Sequence, residues 1–194
     1  MGRALLVATL PFLALAVEPR MPSVRIEPAA GGSIVFVHNP TSQPLIAVFL
    51  ATRDHPFWEE EFREPVPAQG DRRVDFPHPG DVTVKAAVYA DGSWAAEERL
   101  RPQLQEQRNH TLTTARELIK TVQKAEKQNT PLATLEGDLK IQADGLASQP
   151  EREAGRRLIL ETISQLQKTG SYASVMIDLL KEESNIATGE PSSR

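Results

Sequence analysis

The segment RDHPFWEEEFREP, Arg53 to Pro65, gathers a histidine, three aromatic side chains and a run of carboxylates between two stretches with strand character. Asp54, His55, Glu59, Glu60 and Glu61 offer the nitrogen and oxygen donors that divalent metals bind. On a helical turn His55 and Glu59 would share a face, because residues i and i+4 are neighbours there. His78 and Asp75 lie near a second inter-strand connection that could approach the first. His55, Glu59 and His78 are therefore the candidate ligands of a metal-dependent hydrolase. Against that chemistry, no second histidine stands at the H-x-x-x-H spacing, and a charged loop is ordinarily just solvated.

The aromatics Phe57, Trp58 and Phe62 allow two readings. Turned inward, they cap the open end of a small sandwich and leave the glutamates in water. Turned outward, they are candidate contacts for a protein partner, anchored by aromatic rings inside an acidic rim. Inward capping is the simpler of the two.

Other chemistries find little footing. The chain has no cysteine and no G-x-S-x-G elbow. Its histidines, His38, His55, His78 and His110, have no orienting carboxylate at a recognisable spacing. No glycine-rich phosphate loop is present, so no nucleotide cofactor is expected, nor any other. Glu59 and Glu61 could do acid and base work only in a cleft that raises one of their pKa values, which an exposed run does not provide. A formal net charge of −4 without a basic block argues against nucleic acid.

The elements that must position these residues fall into two halves. From Ser23 to Asp91 the pattern has period two or short β-branched runs: SVRIEP, Ser33 to Asn39, Pro44 to Arg53, Arg72 to Phe76 and Asp81 to Ala90, separated by Pro, Gly and Asn. Five or six strands at this spacing predict a small antiparallel Ig-like β-sandwich over residues 17–92.

After Gly92 the period becomes helical. Leu100, Leu104, Thr111, Ala115, Leu118, Val122 and Ala125 predict one helix over about residues 96–128, with Pro102 in its first turn. Thr130-Pro131 starts a second, with Leu132, Leu135, Leu139 and Leu146 on its apolar side. Ser148 to Glu151 has the spacing of a capping box and starts a third. The third stripe, Ile159, Ile163, Leu166, Gly170, Ala173, Ile177 and Leu180, keeps its phase across Gly170 and predicts one bent, continuous helix. The fold class is thus α+β, with a three-helix region over 93–186 and a disordered tail over 187–194. Trp94, between the halves, is placed to seal the joint.

Met1 to Ala16 has a positive charge at Arg3, an apolar run and small residues before Ala16, the pattern of a signal peptide cleaved after Ala16. The competing reading is a retained N-terminal anchor, but the apolar run falls short of the length that spans a bilayer, and no longer run follows it. Without cysteine, neither disulfides nor a lipidated N-terminal cysteine are available, which suits a periplasmic or secreted bacterial protein.

The stretches HNPTSQPLIAVFL, VPAQGDRRVDF and VKAAVYADGSW together resemble a group of exported bacterial proteins with an Ig-like sandwich followed by helices. There an asparagine-rich turn joins two strands, and an A-x-x-x-A-D-G strand end leads into the helices. The likeness covers about residues 33–108 and implies no activity, cofactor or catalytic residue. The expected function is a non-enzymatic protein-binding or assembly module of the bacterial envelope. It would act through the apolar helical stripes, by self-association or on another protein, or through Phe57, Trp58 and Phe62. The alternative is the metal-dependent hydrolase.

Overall fold

The computed structural model describes residues 20–55 and 58–188. The expected signal peptide, Phe57 and residues 189–194 of the expected tail lie outside the described residues, whereas Ala187 and Thr188, expected in that tail, form the end of the last helix.

Among the described residues seven strands precede four helices: β1 (Ser23–Ala29), β2 (Gly32–His38), β3 (Leu45–Ala51), β4 (Trp58–Val66), β5 (Asp71–Phe76), β6 (Thr83–Tyr89), β7 (Trp94–Ala96), α1 (Arg101–Lys127), α2 (Leu132–Leu146), α3 (Glu153–Thr169) and α4 (Tyr172–Thr188). The strands form two antiparallel sheets, β1-β2-β5 and β4-β3-β6-β7. The α+β class and the Ig-like sandwich are as expected, whereas the helices number four rather than three.

Side chains of period two make the sandwich core. Val35, Val37, Val74 and Phe76 from the first sheet meet Leu45, Val48, Leu50, Ala87 and Tyr89 from the second. β3 is buried along its whole length, because its other face, with Ile46, Ala47 and Phe49, is covered as well. There it meets Ala86, Val88, Trp94 and Leu104 of α1. The uninterrupted apolar run of β3 is what a strand covered on both faces requires. Trp94 seals this joint, 7% exposed and stacked on Phe49 at 5.8 Å.

The helices cover one another. Leu112, Ala115, Leu118 and Val122 of α1 join Leu135 and Leu139 of α2, Ile159 and Leu166 of α3, and Val175 and Leu179 of α4 in one core. The stripes of α1 and α2 read from sequence are the buried ones. The bend expected at Gly170 is instead a break. Gly170 takes φ +61° as the C-cap of α3, and its N–H donates to Leu166 O at 2.8 Å. A left-handed residue ends a helix by closing its last carbonyls, and glycine does so without a Cβ penalty. With the phase lost there, α4 buries Val175, Leu179 and Ile186, and Ile177 and Leu180 face outward, 56% and 48% exposed. The Ser148 capping box does not form either. A short 3-10 turn, Pro150–Arg152, leads into α3, which has no side-chain cap.

Candidate functional site

The acidic segment is not a loop. From Trp58 it is strand β4, paired with β3 so that Glu59 lies opposite Phe49, Glu60 opposite Val48 and Glu61 opposite Ala47. Glu59 is carried by a strand and not by the helical turn expected to align it with His55, and the glutamates of the run are not left in water. Glu59 is 1% exposed, and its neighbours on the strand divide between the faces of the sheet as period two requires. Phe62 enters the sandwich core, and Trp58 packs against its edge.

Glu59 and Glu61 meet Arg108 of α1. Arg108 Nη1 donates to Glu59 Oε1 at 3.3 Å and to Glu61 Oε1, while Thr111 Oγ1 donates to Glu59 Oε2 at 3.1 Å. The arginine side chain is 2% exposed and the two carboxyls 0% and 5%. Its remaining donors cap α4: Nε to Ile186 O at 3.3 Å and Nη2 to Asn185 O at 3.0 Å. These carbonyls belong to the last turn of a helix that has no basic residue of its own there. Arg108 thus supplies both the missing donors and the positive charge that a helix C-terminus favours.

β4 is tied down further by Asn185 Nδ2, which donates to Phe62 O at 3.2 Å. Arg157 of α3 donates to Glu59 O and lies over the Trp58 ring at 4.2 Å.

A cleft of about 510 Å³ opens beside this joint, with Glu60, Glu61, Arg63, Arg157, Glu161 and Glu182 among its walls. Burial raises the pKa of Glu61 well above the ordinary carboxylate range against the pull of Arg108, and the nearby charge of Glu59 adds to the rise. Burial likewise raises Glu60, opposed by Arg157. It raises Glu182 to about 7, opposed by Arg63.

His55 and His78 come together elsewhere, with rings stacked at 3.4 Å. They line a second cleft, of about 850 Å³, with Trp58 and Pro77 from the sandwich and Gln103, Gln107 and His110 from α1. Burial lowers the pKa of His78, and His55 lowers it further. Of the three candidate metal ligands, two are therefore adjacent, while the Glu59 carboxylate is engaged by Arg108 and Thr111. Among the described residues no group of three His, Cys, Asp or Glu side chains is arranged to hold a metal ion.

The residues missed from sequence are Arg108, Arg157, Arg63 and Glu182. A signal for the first was present: Arg108 falls four residues after Leu104, inside the buried stripe of α1. Comparison with known protein families, curated proteins and solved structures finds no match for this chain.

Proposed function

We propose that this chain is an exported, non-enzymatic binding module of the bacterial envelope that recognises a protein partner at the end of the sandwich where His55, Trp58 and His78 lie. The reading is carried by the 850 Å³ cleft, whose walls combine aromatic and imidazole rings with the amides of Gln103 and Gln107. Mostly apolar concavities with a few polar groups are the usual form of a recognition site. Glu106, Glu151 and Glu153 line the same cleft, so the fitting partner segment presents an apolar anchor flanked by a basic residue.

The helical stripes are less suited to docking, because they are spent on the core that the four helices share. No helix of the described residues is long and apolar enough to cross a membrane, in keeping with a module released after cleavage at Ala16. A hydrolase built on His55, Glu59 and His78 would first have to free Glu59 from Arg108.

The test places a photo-crosslinking residue at Gln103 or Ala147, beside the cleft, and at Leu180 on the outer face of α4, in the producing cell. One discrete adduct from the cleft positions, absent from position 180 and lost in Trp58→Ala, supports the proposal. Equal labelling at all positions overturns it, as does stoichiometric zinc with hydrolytic activity in the purified protein. Amino-terminal sequencing of the exported chain should begin at Val17.

A further inference from the structure

β1 is an edge strand, and among the described residues no strand pairs with its outer side. Ala29 stands opposite Gly32 across the two-residue turn of Ala30 and Gly31, and the pair that closes such a turn exchanges hydrogen bonds. That exchange recurs at every second residue, so the backbone groups of Ser23, Arg25, Glu27 and Ala29 serve β2. Those of Val24, Ile26 and Pro28 face outward. Pro28, which has no N–H, thus occupies a position where β2 requires none.

The side chains of β1 divide between the two faces of the sheet. Val24 and Ile26 turn toward the sandwich, where they are only half-buried against its core. Arg25 and Glu27 lie on the outer face, 64% and 47% exposed and bonded to each other, with the Arg25 guanidinium 4.1 Å from the centre of the Phe36 ring. An ion pair so exposed contributes little to stability, and it is free to exchange partners.

Proline and charge ordinarily blunt an edge against stray pairing. On β1 the order of the charges leaves one register open. An antiparallel copy of the same strand centred on Arg25 would set Arg25 against Arg25, and one centred on Glu27 would set Glu27 against Glu27. Like charges directly opposite repel. Centred on Ile26, each Arg25 faces a Glu27 of the other copy.

We propose that β1 is a self-association edge, pairing antiparallel with β1 of a second copy about a two-fold axis at Ile26. There the two Ile26 residues exchange both their hydrogen bonds, and each Val24 N–H meets the Pro28 carbonyl of the other copy. The half-buried Val24 and Ile26 side chains of both copies then cover one another, and the sheet β1-β2-β5 runs on through the axis. A self-complementary contact of this kind closes on itself as a dimer. No residue of β1 lines the His55–His78 cleft, so this edge leaves that cleft open.

A single strand pair is smaller than a standard interface, and its dissociation constant should lie between roughly 10 µM and 1 mM. The test is sedimentation equilibrium of the full mature chain over that range, with Arg25→Glu and Glu27→Arg each measured alone and then mixed in equal amounts. Both side chains are exposed, so the variants keep the fold. The parent should form dimers, and each variant alone should associate at least about tenfold more weakly, because like charges then stand opposite. The mixture should recover the association of the parent, since one copy offers two carboxylates where the other offers two guanidiniums. A parent that stays monomeric throughout, single variants that associate as the parent does, or a mixture no stronger than its components overturns the proposal.

Discussion

The helices are fastened to the sandwich by two joints of opposite character. At one, Trp94, Phe49, Ile46 and Val88 of the sheet close over Leu104 of α1 in an apolar cluster. At the other, Arg108, one turn further along α1, enters a pair of buried glutamates on β4 and the last turn of α4. The apolar joint gains from burial in any geometry that excludes water. The ionic joint does not. Taking an arginine and its carboxyls out of water costs several kcal/mol per ion, so it holds only where every partner is in place. One joint supplies adhesion, and the other fixes which strand, helix and helix end must meet.

The largest effect separating the joints is expected at Arg108. Arg108→Ala strands Glu59 and Glu61 and uncaps α4, and should cost about 3–5 kcal/mol in urea unfolding at pH 7. A loss below 1 kcal/mol would mean that the joint is hydrated. At the apolar joint, Phe49→Ala should cost a comparable 3–5 kcal/mol by about the usual transfer and cavity terms, but with no dependence on pH.

The ionic joint and the neighbouring pair of Glu182 on α4 with Arg63 on β4, by contrast, should respond to pH. Burial lifts Glu182 from 4.5 to about 7. Between those values the folded chain keeps a proton that the unfolded chain has lost. The stability attached to that proton is fully present below about pH 4.5 and falls as the pH rises through about 7, by up to roughly 3 kcal/mol. Glu60 and Glu61, also raised, slope the same way. Thermal unfolding followed by circular dichroism should therefore show a melting temperature that falls from pH 5 to about 7.5, with a shallower slope in Glu182→Gln. His78, whose pKa is lowered, works in the other direction and removes stability as the pH falls below its ordinary value, which makes His78→Gln the control.

Smaller effects mark the bundle. A Cβ at Gly155 would stand 2.7 Å from Thr114 Oγ1, so Gly155→Ala should lose about 1–3 kcal/mol through overpacking of α1 on α3 despite its better helix propensity. Ile177→Ser, on the exposed face of α4, should stay within about 0.5 kcal/mol of the parent.

How far the fold could be read in advance follows the same division. The apolar joint was legible: β3 is an unbroken apolar run, α1 carries a clear stripe, and Trp94 stands where the period changes. The ionic joint was not, because a run of glutamates suggests water unless its countercharge is known, and Arg108 lies 49 residues beyond Glu59. Two signs were nevertheless in the sequence, the alternation of Trp58, Glu60 and Phe62 with Glu59 and Glu61, and an arginine inside an apolar stripe. Gly170 misled for a different reason. Hydrophobic phase is blind to φ, and only the left-handed backbone at that residue separates a bend from a stop. For the candidate site, the sequence allowed the His78 connection to approach His55 without requiring it, while the diversion of Glu59 depended on a helix whose packing no local pattern encodes.

The central claim is that β4 and the helices covering it, α3 and α4, carry carboxyls in excess of the guanidiniums that face them. The most direct test is a carbon-13 NMR titration of the glutamate side-chain carboxyls, assigned through Glu61→Gln and Glu182→Gln. The account predicts that Glu61 and Glu182 take up protons well above the ordinary carboxylate range, Glu182 near pH 7. If every glutamate of the folded protein titrates in the ordinary range, the joint is solvated and the account is wrong.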